Sequence, residues 1–280
     1  LGAVHMGIHA LAHVTHPRET ALAEMSLVKG LILATLAVVT FDFAGPFTGM
    51  VLTAQSTLMF YLGCRRSSTI LKTGACLAGT LGLFWSLFDM SSLHVQGAVF
   101  SATSAWLGMT VTGFLMASAW IATKFHGRDE PDDSSPYPVV FICGAAFMAM
   151  VATIVNTLGS HAAWTGPLLA GLGLAFSFSV YWLRVREAAW AGQALMLAGM
   201  SLVLLKLATH SLTDNWGSPA LVQVAMLVLM VWWQQQDDRR ASKPNRRVME
   251  FINAVGFTAL ALVTFYIHVP DPETGIFFDD

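Results

Sequence analysis

The sequence predicts an all-α fold: a polytopic transmembrane helical bundle of about nine full spans plus a partial one, built from parallel four-helix repeats. Three observations support this prediction. The 280 residues are 55% hydrophobic and only 11% charged, with a mean hydropathy of +0.60, whereas soluble domains carry about 25% charged residues. Long apolar runs recur along the chain, and two stretches resemble each other. The formal net charge of -2 gives no reason to expect a nucleic-acid partner.

The number of spans follows from the length of the apolar runs. A membrane helix needs about 20 mostly apolar residues to cross about 30 Å of hydrocarbon. Nine segments meet this requirement within a few residues at each end: 26–44, 46–63, 69–88, 97–123, 138–158, 164–183, 188–208, 217–234 and 248–268. Residues 1–14 are too few for a span and predict a partial helix. Since the chain begins with leucine and ends in a polar loop, we expect it to be part of a longer polypeptide.

The stretch Gln55–Leu87, two apolar runs around a pair of arginines, returns as Ser177–Leu207. Laid over each other at a spacing of about 120 residues, the stretches match at these positions: Tyr61, Arg66, Leu77, Ala78, Gly79 and Leu87 against Tyr181, Arg186, Leu197, Ala198, Gly199 and Leu207. Residues 36–41 are echoed at 260–265, which predicts a third unit. We therefore expect a partial helix and cytoplasmic connector (1–25), two transmembrane repeats (26–137 and 138–247) and the start of a third repeat (248–280).

Loop charges predict the orientation. One set of loops carries these basic residues: Arg18, Arg65, Arg66, Lys124, Arg128, Arg184, Arg186, Arg239, Arg240, Lys243, Arg246 and Arg247. The alternate loops carry neither lysine nor arginine, so the positive-inside rule places the arginine loops in the cytoplasm. Lys206, near the other end of its span, is expected to snorkel. Trp164, Trp216, Trp232 and Trp233 lie near span ends and are expected to be interfacial anchors.

Two hydrophilic stretches on the predicted cytoplasmic side bear on lipid binding. Residues 124–138 are acidic in their middle, which argues against contact with anionic headgroups. Residues 234–247 are basic at their end, and their favoured interpretation is a solvated linker, with headgroup contact as the alternative.

These features resemble a bacterial family of very large multi-pass membrane proteins known as domain of unknown function 2339. The resemblance rests on an apolar span, a short loop with two basic residues, and a span with a central Leu-Ala-Gly and a charged residue, Asp89 or Lys206, near its outer end. It covers most of residues 28–268. It implies a many-helix protein of the bacterial inner membrane, and it carries over no site residues because the family has no established catalytic residues.

Histidines are the candidate metal ligands. His5, His9, His13 and His16 are spaced by four, four and three residues, which places them on one face of a helix. Imidazole binds zinc, copper and haem iron. The favoured interpretation is a polar stripe that contacts neighbouring protein. A bound metal or haem is one alternative, and an amphipathic end that faces water is another.

A second group of histidines and carboxylates lies in or beside the predicted outer loops. Its members are His94, His161, His210, His268, Asp42, Asp89 and Asp214. A shared outer metal or proton site is a hypothesis here, but the spacing does not bring these residues together. The favoured interpretation is ordinary interfacial polar residues.

The sequence gives little support to an enzyme, because it shows no nucleophile–base pair, phosphate-binding loop or zinc-finger spacing. We expect an integral membrane structural or interaction subunit of a larger bacterial inner-membrane assembly, without catalysis or cofactor. The expected partners are the lipid bilayer and other membrane protein chains, and no nucleic acid. The alternatives are a small-solute or ion transporter or channel, and a metal- or haem-binding redox protein that uses the N-terminal histidines.

The predicted topology can be tested by labelling single cysteines from outside intact cells, after replacement of Cys64, Cys76 and Cys143. Cysteines at positions 92 and 213 should react, and those at 66 and 240 should not, because the charge distribution places the arginine loops inside. The reverse pattern would contradict every loop assignment.

Overall fold

The computed structural model describes residues 4, 7–8, 20–41, 45–95, 102–125, 136–157, 162–183, 185, 187–209, 216–235 and 243–268. These residues confirm the all-α prediction, because their regular structure is helical. The α-helices are α1 (Thr20–Phe41), α2 (Thr48–Arg65), α3 (Thr69–Val95), α4 (Ala102–Phe125), α5 (Tyr137–Thr157), α6 (Thr165–Leu183), α7 (Glu187–Ala208), α8 (Gly217–Gln234) and α9 (Lys243–His268). Short 3-10 turns, Gly45–Phe47 and Ala162–Trp164, precede α2 and α6.

Seven helices in the described ranges, α3 to α9, are long and apolar enough to cross a membrane, which indicates a multi-pass membrane protein. The apolar part of α1 is shorter, Met25–Thr40. Helix α2 falls outside the set of seven, and it carries Thr53, Gln55, Ser56 and Thr57 in its middle. Each of the nine predicted segments therefore corresponds to a helix in the described part of the chain, while the count of nine spans remains a prediction.

The chain divides into two compact units, each described by itself. The first comprises residues 1–96 and 106–148, and the second residues 97–105 and 149–280. In the first unit, α2 and α3 pack along each other as an antiparallel hairpin. In the second unit, α6 and α7 form a hairpin of the same kind, and α8 and α9 pack beside it.

The turn between α2 and α3 is a Schellman motif. The N–H of Ser68 donates to the carbonyl oxygen of Gly63 at 2.9 Å. The N–H of Ser67 donates to the carbonyl oxygen of Cys64 at 3.4 Å, and Ser67 has a left-handed φ of 54°. These bonds satisfy carbonyl groups that the end of a helix leaves free. The turn therefore lets α3 begin at Thr69, four residues after α2 ends.

Glycines allow the backbones within each hairpin to touch. A Cβ atom on Gly82 of α3 would lie 3.0 Å from the carbonyl oxygen of Gly49 on α2. A Cβ atom on Gly199 of α7 would lie 2.7 Å from the carbonyl oxygen of Gly166 on α6. Membrane helices associate through such close packing, because lipid provides no hydrophobic drive between them. Both hairpins thus depend on residues that lack a side chain at the crossing.

The contacts of the two hairpins correspond at a spacing of 117 residues, as Gly166 lies 117 positions after Gly49 and Gly199 lies 117 after Gly82. The 3-10 turns and the first residues of α2 and α6, Thr48 and Thr165, keep the same spacing. Each of these threonine hydroxyls donates to the carbonyl oxygen of the first turn residue, at 2.9 Å in the first hairpin and 3.0 Å in the second.

The sequence alignment at about 120 residues paired different glycines. It matched Gly79 with Gly199, but a Cβ atom on Gly79 would meet the Ser56 hydroxyl at 2.8 Å, whereas Gly199 faces Gly166. The glycine of the first hairpin that shares the contacts of Gly199 is Gly82. The glycines of the two aligned Leu-Ala-Gly sequences therefore do not have equivalent neighbours in the structure.

Replacement of Gly82 by alanine should lower the free energy of unfolding by about 1–3 kcal/mol, the usual cost of overpacking, because the new methyl group meets backbone atoms of α2. Gly113→Ala on α4 is the matched control, since a Cβ atom there would meet no heavy atom within 4 Å. Unfolding of the purified protein in mixed micelles with increasing SDS measures both variants. Equal stability of the two variants would show that the crossing is not tightly packed.

Candidate functional site

The predicted metal ligands His5, His9, His13 and His16 lie outside the described residues. His161, His210, Asp42 and Asp214 also lie outside them. His94 is the next-to-last residue of α3 and His268 the last of α9, and the structure describes only the backbone of these two residues. Among the described residues, no group of three or more His, Cys, Asp and Glu side chains is arranged to hold a metal ion. The metal and haem hypotheses therefore remain predictions.

In the second unit, three polar side chains from three helices meet in a buried cluster. We call Gln193 of α7, Trp233 of α8 and Asn253 of α9 the amide cluster; their exposed fractions are 2%, 2% and 1%. The Gln193 Nε2 donates to Asn253 Oδ1 at 2.9 Å, and Asn253 Nδ2 donates back to Gln193 Oε1 at 3.0 Å. Trp233 Nε1 donates to the same Gln193 oxygen at 3.2 Å. The cluster thus joins α7, α8 and α9.

The burial of two tryptophans differs from the prediction that they are interfacial anchors. Trp232 and Trp233 are buried, at 5% and 2% exposure, rather than presented at the membrane interface. The Trp232 ring packs edge-on against the rings of Phe178 and Tyr181 on α6, with centroids 6.1 and 6.3 Å apart. Position near a span end was the signal used, and it does not distinguish an inward ring from an outward one.

In the first unit, α2 bonds to three neighbouring helices through consecutive residues. Gln55 Nε2, Ser56 Oγ and Thr57 Oγ1 donate to backbone carbonyl oxygens of α1, α3 and α4, at 3.1, 2.6 and 3.1 Å respectively. Thr57 also shares a hydrogen bond of 2.9 Å with Ser118 of α4. The polar residues in the middle of α2 are therefore the residues that connect it to its neighbours.

A charged residue holds the start of the first helix in each hairpin. Asp89 of α3 is 5% exposed, and its Oδ2 accepts the N–H of Gly49 in the first turn of α2 at 3.3 Å. Phe47 precedes α2 and has no side-chain oxygen with which to cap it. The carboxylate from the neighbouring helix therefore supplies an acceptor at the positive end of the helix dipole.

Lys206 occupies the corresponding position in the second hairpin, 117 residues after Asp89. Its Nζ donates to the carbonyl oxygen of Ala162 in the 3-10 turn and lies 3.5 Å from Thr165 Oγ1. The Thr165 hydroxyl in turn shares a hydrogen bond of 2.7 Å with Thr157 of α5. Lys206 thus binds backbone within its own unit, where the sequence predicted only that it snorkels. The Asp89 carboxylate accepts from a backbone N–H group, and the Lys206 ammonium group donates to a backbone carbonyl oxygen, each at the start of the first helix of its hairpin.

These arrangements share one chemical property: each polar side chain is used to bind another helix. Buried polar groups in lipid need such partners because water is absent. Interhelical hydrogen bonds in membranes contribute about 0.6 kcal/mol on average and up to about 1.7 kcal/mol. The clusters can therefore fix which helices are neighbours and in what register.

Comparison of the chain with known protein families, with curated proteins and with solved structures finds no match. The resemblance to the bacterial multi-pass family accordingly remains a prediction.

The amide cluster can be tested with a double-mutant cycle. Gln193→Leu and Asn253→Leu should each lower the free energy of unfolding by about 1–3 kcal/mol, because each leaves a buried amide without its partner. The double variant should cost less than the sum of the two. Thr258→Leu on α9 is the control, since this exposed hydroxyl bonds only the Ala254 carbonyl of its own helix in the structure. Additive losses in SDS unfolding would contradict a direct Gln193–Asn253 interaction.

Proposed function

We propose that the protein is a structural subunit of a larger assembly in the bacterial inner membrane, in which it arranges membrane helices and contacts other chains. The observation that carries this proposal is the use of buried polar side chains in both units. The amide cluster and the middle of α2 each connect three or more helices. Such groups are costly in lipid, and here they contribute to helix association.

We further propose that the chain is built from parallel four-helix repeats. Helices α1–α4 would form one repeat, α5–α8 the next, and α9 would begin a third; the boundaries expected from the sequence are 26–137, 138–247 and 248–280. The correspondence of the two hairpins at 117 residues supports this organisation, including the equivalent positions of Asp89 and Lys206. Four spans in each repeat give successive repeats the same orientation.

Helix α9 offers the surface for a neighbouring chain. It is the least covered of the seven span-length helices in the described part of the chain. Residues 261–267 include no buried side chain, and Leu262, Phe265 and Tyr266 are 64%, 69% and 74% exposed. In a membrane this face meets either lipid or other membrane helices. The proposed assembly places a helix of another chain there.

A transporter or channel for ions or small solutes is the second candidate, and Asp89 is the observation that favours it. A carboxylate with 5% exposure in a membrane helix is a candidate for ion or proton coupling. The redox alternative rests on the four N-terminal histidines, and metal analysis with an optical spectrum of the purified protein tests it.

A photo-reactive amino acid in place of Phe265 should form a discrete adduct with another protein chain when membranes are irradiated, because Phe265 lies on the uncovered face of α9. Mass spectrometry identifies the adduct, and samples kept dark are the control. Adducts with lipid alone would contradict a neighbouring chain at this face.

Flux measurements separate the subunit from the transporter. The protein reconstituted alone into vesicles should move no ion or solute across the bilayer. Flux that is lost in Asp89→Asn would overturn the structural proposal in favour of transport. This substitution keeps an oxygen for the Gly49 N–H and removes the charge.

A further inference from the structure

Two exposed cations, each with an aromatic residue one turn earlier on its own helix, lie at the end of the first unit that holds the turn between α2 and α3. Arg65 is exposed in the last turn of α2, and Tyr61 lies one turn earlier on the same face of that helix. Lys124 is exposed in the last turn of α4. The rings of Tyr61 and Phe125 pack edge-on with centroids 6.0 Å apart, which brings the two helix ends together. We call Arg65 and Lys124 the basic pair.

The Lys124 side chain turns back along its own helix. Its Nζ lies 4.3 Å from the centroid of the Trp120 ring, one turn further into the span. A lysine at a helix end ordinarily extends towards water. Exposed tryptophan and tyrosine rings near span ends are enriched at the depth of the lipid headgroups, and Trp120 and Tyr61 are both exposed. The cation–π contact therefore holds the ammonium group beside an exposed ring near the end of the span.

We propose that the basic pair binds the phosphate group of an anionic phospholipid, with Tyr61 and Trp120 against its glycerol and upper acyl chain. The planar guanidinium of Arg65 matches two phosphate oxygens, and Lys124 supplies a point charge. Tyr61 and Trp120 are 37% and 43% exposed, so both rings have surface available to lipid. The inference does not depend on the structural role proposed above.

The acidic stretch Asp129–Asp133 is the competing partner for these cations. It follows Lys124 in the sequence and lies outside the described residues. Its charge is the reason that the sequence argued against lipid binding here. The structure adds the contact of the ammonium group with the Trp120 ring, which lies one turn before Lys124 on α4.

The full-length protein in bilayer discs of equal phosphatidylglycerol and phosphatidylcholine should retain phosphatidylglycerol preferentially, as counted by native mass spectrometry after release into detergent. The double variant Arg65→Gln/Lys124→Gln should reduce this preference about tenfold or more, from the attraction of two basic residues near a membrane surface. Its thermal unfolding is measured alongside, so that loss of fold is not read as loss of the site.

The control is Arg246→Gln/Arg247→Gln, which removes the same charge from the start of α9 and should keep the preference. Equal loss in both double variants would overturn the proposal, because the lipid preference would then not be specific to the basic pair. If inorganic phosphate binds without lipid and this binding is abolished in the Arg65/Lys124 variant, the ligand of the basic pair is free phosphate. That result would overturn the proposal of a phospholipid ligand. A preference that emerges only after Asp129, Glu130, Asp132 and Asp133 are neutralised would identify the acidic stretch as the occupant.

Discussion

Backbone contact between paired helices is the constraint on which both units depend. At the crossings of Gly49 with Gly82 and of Gly166 with Gly199, no space remains for a side chain. Once two helices are this close, carbonyl groups of one lie within reach of hydroxyls on the other, as Ser56 shows with α3 at 2.6 Å. Close approach therefore comes first, and the buried hydrogen bonds depend on it.

Much of the fold follows from apolar length. Each of the nine predicted segments corresponds to a helix, because a run of apolar residues in a membrane has few other stable conformations. The spacing of 117 residues between the two hairpins was harder to predict from the sequence. In a sequence made mostly of a few apolar residue types, Leu-Ala-Gly can recur by chance. The contacts between the helices depend instead on which glycine faces the backbone of the neighbouring helix. Gly82 and Gly199 each face a glycine carbonyl of the neighbouring helix, although the residues around them in the sequence differ.

The buried polar residues were harder to predict than the helices. Gln193 and Asn253 are uncharged and isolated in apolar helices, so no local pattern marks them, and their pairing joins residues 60 positions apart. The one side-chain amide in each of the segments 188–208 and 248–268 would have been the available signal. Asp89 and Lys206 were visible as charges near span ends. Their equivalence emerged only from the spacing of the contacts, since their signs are opposite.

The polar middle of α2 has a consequence for how the chain enters a bilayer. Gln55, Ser56 and Thr57 would lose their hydrogen bonds to α1, α3 and α4 if α2 met lipid alone, and α2 falls outside the seven helices that are apolar enough to span. Its partner α3 begins four residues after α2 ends, across the fixed turn at Ser67. Because Ser56 donates to a carbonyl oxygen of α3, we expect α2 to be more stable in lipid once α3 lies beside it. The two helices would then enter the bilayer as a pair.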